Sequence, residues 1–405
     1  MRRPPVIIMK FGGTSVATPE GRMAIASRVT EVLEHERTPV VVVSAMGRDG
    51  APYATDTLLG LVAGLPADER ERDLLASTGE VITAVVVAHG LREAGIGARA
   101  MTGADAGIST DGVHQSASIT GIYPAALLET IDAGLVPVVA GFQGVAEDGC
   151  VTTLGRGGSD TTACALGVAL QAEAVEIHTD VDGVMTADPR ACEEASVLEV
   201  IRADELFQMA RHGSRVLHTQ AAELALASGL AVRVRNTYTD HPGTLVADIA
   251  SYRPTSIATA ISHATGVARV RVELPAEEDG TAHMAAQARL YQAMADAGIS
   301  LDMFTPFGSM LIFTVAEVDL ARAREVVAAL GRPYETRAGL AKVTLIGAAM
   351  HGVPGVMARV AESLSRAGVH VLQTADSHTT ISVLVPGEDM HRAIGALHES
   401  FELGK

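Results

Sequence analysis

The chain has 405 residues, too many for one typical core and enough for two or three domains. Hydrophobic residues make up 48% and charged residues 20%, an ordinary globular balance, while the net charge of −17 excludes a partner held mainly through phosphate contacts. With no Trp, stacking platforms for single-stranded nucleic acid are not expected, and any anionic ligand must be held by local cations against the global field.

The start carries two arginines and only a short apolar run, Val6–Met9, which reads as a strand rather than a signal-peptide core. The apolar stretches near Val40–Val43 and Val81–His89 fall short of a membrane span, so a soluble, cytoplasmic protein is expected. Cys150, Cys164 and Cys192 show no CxxC spacing and read as reduced thiols, with Cys164 on a helix face. Fourteen histidines lie scattered without HxxxH or HExxH spacing, so no protein metal site is expected.

Up to about residue 248, β-branched runs alternate with helical segments. Val6–Met9, Pro39–Ser44, Leu135–Ala140, Ala174–Thr179 and Ala231–Asn236 read as buried strands. Ala24–Glu34, Glu69–Leu91, Pro124–Ala133 and Asp160–Gln171 read as helices. This alternation predicts an α/β layer fold with a mainly parallel sheet. Tyr238–Tyr252, with its Asp-His-Pro-Gly turn, is the expected boundary. Beyond it lies an internal repeat: Ala285–Asp302 can be laid over Val356–Thr374, each a helix, an Ala-Gly stop (Gly298, Gly368) and a short strand. Flanking strands at Val267–Val272, Met310–Ala316, Ala341–Gly347 and Thr379–Val385, with last helices at Leu320–Leu330 and Asp389–Phe401, predict two ferredoxin-like βαββαβ modules.

Three clusters carry chemistry. Lys10-Phe11-Gly12-Gly13-Thr14-Ser15 follows the first strand, where consecutive glycines let amides approach a phosphate and Lys10 supplies a point charge. Gly155-Arg156-Gly157-Gly158-Ser159-Asp160 leads into a helix that Ser159 or Asp160 can cap; Arg156 suits a bidentate carboxylate or phosphate clamp. This is neither a Walker A loop nor a GxGxxG fingerprint. Thr179-Asp180-Val181-Asp182-Gly183-Val184-Met185 runs on to Asp188-Pro189-Arg190, offering three carboxylates and Arg190 at a strand's carboxyl end. Each cluster alone also occurs as a plain strand–helix connection.

Together the clusters resemble the amino-acid kinase family, and within it the aspartate kinases. The resemblance is carried by KFGGTSV (10–16), VVVVSAMG (40–47), STGE (77–80), GFQG (141–144), TTLGRGGSDTTA (152–163), TDVDGVMTADPR (179–190) and VRVRNTYTDHPGTLV (232–246), and it continues through a tail similar to tandem ACT domains. It implies a three-layer α/β catalytic domain over 1–248 and ACT domains over 262–336 and 341–405. It implies ATP as co-substrate with Mg2+ on its phosphates, and L-aspartate as acceptor. Lys10 and Asp160 would be catalytic, and Ser44, Thr55, Glu80, Arg156 and Ser159 would hold aspartate. Lys10, Phe11, Gly12, Gly13, Thr179, Asp180, Met185, Arg190 and Arg215 would contact the nucleotide. Aspartate's side chain, with a pKa of about 4, needs no general base, which explains the lack of an evident catalytic His.

The ACT pair implies a feedback amino acid (lysine, threonine or meso-diaminopimelate), captured near Val353, Pro354, Gly355 and Val356 with Gln373 and Thr374, and at least a homodimer. The first copy has Leu274–Glu278 where the second has His351–Val356, so the two are not expected to bind equivalently. The chain looks closest to the diaminopimelate-sensitive Bacillus type. It departs from the family at Arg215, at Thr219-Gln220, and at Ser116 and Ser118. The Ser116 and Ser118 changes leave room for a carboxylate kinase of a specialised pathway; the other alternative is a catalytically retired amino-acid sensor, against which the intact Lys10, Arg156 and Asp160 argue.

Overall fold

The computed structural model describes residues 4–66, 68–214, 217–247, 256–274, 280–348, 350 and 352–404. They form two compact units: Met1–Val184, Val197–Arg211 and Arg215–Arg253, and then Met185–Ser196, His212–Ser214 and Pro254–Lys405.

The first unit begins with β1 (Val6–Phe11), α1 (Gly13–Ala17), α2 (Pro19–Glu34), β2 (Thr38–Val43), α3 (Thr55–Gly60) and α4 (Glu69–Glu93). Next come β3 (Ala98–Met101), β4 (Ile108–Thr110), β5 (Ile119–Ile122), α5 (Ala125–Asp132), β6 (Val136–Ala140), β7 (Gln143–Val145) and β8 (Val151–Thr153). It closes with α6 (Gly158–Ala169), β9 (Ala174–Thr179), β10 (Val200–Arg202), α7 (Ala203–Arg211), α8 (Thr219–Ser228), β11 (Val232–Asn236) and β12 (Thr244–Ala247). Eight strands form one sheet in the order β10-β12-β11-β9-β1-β2-β6-β3, parallel except where β12 meets β11. β5, β4, β7 and β8 form a second, smaller sheet.

Local chemistry sets the helix starts. Thr18 accepts from the Gly21 amide with Pro19 at the first turn of α2, and Asp68 accepts from the Glu71 amide to open α4. One face of the sheet buries Met9, Phe11, Val41, Val43 and Val138 against Ile25 and Val29 of α2 and Val87 and Leu91 of α4. α4 corrects one expectation, for it is long and apolar enough by composition to cross a bilayer. Half of its apolar window is buried inside the unit, and the helix carries the buried carboxyls Asp73 and Glu80, so it is a core helix.

The second unit contains β13 (Ala260–Glu273), α9 (Gly280–Asp296), β14 (Asp302–Phe307), β15 (Met310–Ala316), α10 (Leu320–Ala329) and β16 (Tyr334–Ile346). It ends with α11 (Val356–Arg366), β17 (Gln373–Asp376), β18 (Thr380–Pro386) and α12 (Met390–Ser400). Its sheet runs β14-β15-β13-β16-β18-β17, antiparallel throughout. Both modules are present, but β13 and β16 are longer than the sequence reading gave. Val267–Val272 pairs with Tyr334–Leu340, and Ala260–Ala264 pairs with Lys342–Ile346. Each long strand thus opens one module and closes the other, so the missing fourth strand of the second copy comes from Ala260–Ala264. The segment Met185–Ser196 packs here too. Ile261 N donates to Thr186 O (2.7 Å), Thr186 Oγ1 lies 2.9 Å from His398 Nε2, and Ala187 and Cys192 join the core of α11 and α12.

Gly298 and Gly368 take φ of 67° and 66° after α9 and α11, the left-handed stops expected of them. Gly368→Ala should lower stability by about 1–2 kcal/mol. Gly395→Ala, inside α12 with open space around the Cβ position, should raise it by about 0.5–1 kcal/mol. Thermal unfolding of the two variants beside the parent checks both signs.

Candidate active site

The register of the large sheet brings the carboxyl ends of five strands to one edge. Phe11 lies opposite Val43 and His178, Val43 opposite Ala140, and Thr179 opposite Asn236. The KFGGTS, SAMG, GFQG, TDVDG and NTYTD segments all leave from that edge, where open α/β sheets place ligands. Close packing there demands glycine at position 13, since a Cβ would come 2.6 Å from the carbonyl oxygens of both Ala45 and Gly47.

Alternation along β1 decides where Lys10 points. Met9 and Phe11 enter the core with α2 and α4, so Lys10 projects from the opposite face, toward α6. Its Nζ lies 2.7 Å from Asp160 Oδ1, and the other oxygen, Oδ2, accepts from the His218 amide at 3.3 Å. Asp160 sits in the first turn of α6, whose positive end favours a carboxylate. The capping expectation is corrected here: Gly157, in the left-handed conformation, occupies the N-cap with no side-chain bond, and Ser159 and Asp160 lie inside the helix. That frees Asp160 for Lys10.

Arg156, between Gly155 and Gly157, is exposed and makes no hydrogen bond or ion pair among the described residues. Glu80 is its opposite. It is 3% exposed on α4, its Oε1 accepts from Ala45 N at 3.0 Å, and its Oε2 is buried without a partner among the described residues. Burial pushes its carboxyl up to about 8, against the pull of the Ala45 amide. Ser159 packs against Gly141 at the end of β6, Ser44 follows β2, and Thr55 opens α3 close to where Gly79 meets Ala45 and Tyr53.

Around the nucleotide motifs, Thr179 Oγ1 donates to Asp180 Oδ1 (3.2 Å), Arg48 Nη2 holds Asp180 Oδ2 (3.1 Å), and Ser15 Oγ lies 2.8 Å from Thr237 Oγ1. Hydrogen bonds from Thr239 and Asn236 keep the Asp182 carboxyl below the usual range. Met185 and Arg190 lie in the segment that belongs to the second unit, where Arg190 binds both oxygens of Asp188 (3.0 and 2.7 Å). Arg215 lies outside the described residues, as do His351 and residues 275–278. In the second unit Gly355, at φ 92°, precedes α11 beside Val353, Pro354 and the buried Val356. Gln373 donates to Met303 O and to Thr305 Oγ1 (3.2 Å), while Thr374 is exposed and His378 lies in the exposed β17–β18 turn. Cys164 is fully buried and burial pushes its thiol up, as suits a helix-face filler. Sequence reasoning did not single out Arg48, Asp73, His218 or Thr237; Arg48 directly follows SAMG and Thr237 lies inside the NTYTD segment, while Asp73 and His218 carry no local signal.

The sequence matches the Amino acid kinase family over residues 5–236 and the ACT domain over 335–399. It is 43% identical to Aspartokinase 1 of Bacillus subtilis, over 99% of this chain and 100% of that one. The chain belongs to the aspartokinase family. An aspartokinase of Mycolicibacterium smegmatis is 38% identical, over 98% of this chain and 96% of its own. Among solved structures, E. coli aspartokinase III in complex with aspartate and ADP aligns with a TM-score of 0.80 at 25% identity, covering 98% of this chain and 100% of that one. As an aspartokinase the protein is an ATP-dependent kinase whose acceptor is the carboxylate of aspartate, with allosteric control of amino-acid biosynthesis.

The raised Glu80 carboxyl has a stability consequence. A group that holds its proton more tightly when folded contributes stability present below its unfolded pKa of 4.5 and lost as pH rises toward about 8. Glu80→Gln in the ligand-free aspartokinase should therefore gain stability over the parent at pH 8.5 compared with pH 5. Denaturation midpoints at the two pH values measure that difference, and an equal offset at both would refute the buried-proton account.

Proposed function

We propose that the first-unit site transfers the γ-phosphoryl group of ATP to the side chain of L-aspartate, giving ADP and 4-phospho-L-aspartate. The observation that carries this is the Lys10–Asp160 pair at 2.7 Å, beside the Gly12-Gly13 turn at the carboxyl edge of the sheet. Because the acceptor is already ionised, catalysis reduces to in-line positioning and neutralising charge on the transferring group. Lys10 would neutralise that charge, and Asp160 would keep its ammonium aimed until the phosphates arrive. Arg156, exposed and unpaired, is free to take the α-carboxylate in a fork. The unpartnered Glu80 Oε2 is placed to receive the α-ammonium, whose charge would favour the ionised carboxylate and release a proton on binding. Ser44, Thr55 and Ser159 complete the acceptor's surroundings, and Phe11, Gly12, Gly13, Thr179, Asp180, Met185, Arg190 and Arg215 are assigned to the nucleotide.

Mg2+ fits as a companion of the phosphates. Among the described residues no group of three or more His, Cys, Asp or Glu side chains could hold a metal, so phosphate and water oxygens would supply most of its ligands. Bound there, it would screen the charge of the transferred group. We read 1–248, apart from the 185–196 segment, as the catalytic domain and 262–336 and 341–405 as the ACT modules, with the strand half Ala260–Ala264 completing the second; Val353–Val356, Gln373 and Thr374 form the effector site of a cytoplasmic homo-oligomer, at least a dimer. The effector belongs to the lysine, threonine and diaminopimelate set; E. coli aspartokinase III has been solved in complex with lysine and aspartate.

Trapping the acyl phosphate as a hydroxamate, with ATP and a panel of amino acids, tests the reading. Aspartate should be the preferred acceptor, and Lys10→Ala should lose about 10³-fold in kcat with the fold intact. Near-normal turnover of that variant would remove Lys10 from the mechanism. Repeating the assay with lysine, threonine and diaminopimelate identifies the effector by inhibition.

A further inference from the structure

One buried carboxylate has no part in the reading above. Asp73 lies on α4 with 0% exposure, seven residues before Glu80 and so on the same helix face. Its two oxygens take four contacts. His114 Nδ1 lies 2.7 Å from Oδ2, the Gln115 amide donates at 3.0 and 3.1 Å, and Thr153 Oγ1 donates to Oδ1 at 2.5 Å. These partners come from two other elements. His114 and Gln115 sit in the loop between β4 and β5, and Thr153 is the last residue of β8, three positions before Arg156.

The loop also touches the Arg156 turn directly. Ala117 N donates to Thr153 O at 2.9 Å, and a Cβ on Gly155 would lie 3.2 Å from Gln115 O. Asp111 closes the loop on itself by accepting from the amides of Val113 and Ser118 at 3.0 and 3.1 Å. Arg156 is left with no partner of its own, so its starting position is fixed only by the backbone on either side. Of that backbone, the Thr153–Gly155 side is held by the Asp73 cluster.

We infer that Asp73 is a positioning residue for the acceptor site, joining α4, the 111–118 loop and the Thr153–Gly155 strand end so that Arg156 and Glu80 face one substrate at a fixed separation. This rests on the assignment of Arg156 and Glu80 to aspartate. A buried carboxylate draws its effect from charge-assisted donors, and losing one leaves the charge poorly compensated. The loop is then free to drift from Gly155. Orientation of the acceptor should suffer while nucleotide binding, assigned to other loops, does not.

The test is a steady-state comparison on the full chain. His114→Ala and Asp73→Asn should each raise KM for aspartate about tenfold, with KM for ATP within about twofold of the parent. His114→Asn, which restores a donor near the Nδ1 position, should recover most of the loss; a purely structural role would instead show as a lowered unfolding temperature with both KM values moving together or neither. Arg156→Ala is measured alongside. If Arg156→Ala leaves KM for aspartate unchanged, the acceptor assignment itself has failed. If Arg156→Ala raises it while the His114 and Asp73 variants do not, the positioning role is overturned. In the double variant His114→Ala/Arg156→Ala the two effects should not multiply, because one acts through the other. Full multiplication would also overturn it. Should Asp73→Asn fail to fold, the His114 pair and the double variant decide the question.

Discussion

The placement of Phe11 between Val43 and His178 is the constraint on which the site depends. Because side chains alternate along a strand, that register sends Met9 and Phe11 into the core and leaves Lys10 on the α6 face. A one-residue slip would bury the lysine among valines and expose a methionine to the phosphates. The same register stops the strands at one level, so five loops from distant parts of the sequence converge without long excursions. Gly13 then lets the first loop lie against the Ala45 and Gly47 carbonyls of the SAMG segment, a contact any side chain would block.

Electrostatics follow from this frame. A chain of net charge −17 must bring a triphosphate and a dicarboxylic amino acid together. It does so with few cations, each held differently. Lys10 is paired with Asp160, which the positive end of a helix helps to keep ionised. Arg156 is left open, and Arg48 is tied to Asp180. Glu80 is buried with its carboxyl pushed up to about 8, so the ligand-free protein keeps it protonated at neutral pH.

The strands of the two large sheets were legible where they are apolar: Ala174–Thr179 in the first unit and Met310–Ala316 in the second match residue for residue. The small sheet was not. Its strands have three or four residues, too short for any period, and they exist because their neighbours hold them. The shared strands β13 and β16 were half legible, since their inner halves are apolar while the outer half of β16, Tyr-Glu-Thr-Arg, reads as loop. Lys10, Arg156 and Asp160 stood out by residue type among glycines. Asp73 and His218 did not, because an aspartate in a charged helix start and a histidine just before a helix look alike whether idle or engaged. Their roles reside in tertiary distance, which no local pattern encodes.

The stretch from Met185 to Ser196 leaves the catalytic fold, gives Ala187 and Cys192 to the core of the second ACT module, and returns. The chain therefore passes between the two units more than once. A gene fragment ending at the linker would produce a catalytic half carrying an apolar loop with no seat, and the ACT half alone would have a notch where that loop belongs. For such a chain, recombination between relatives is easiest when both halves are inherited together, and splitting them into separate subunits would require the loop to find its seat in trans.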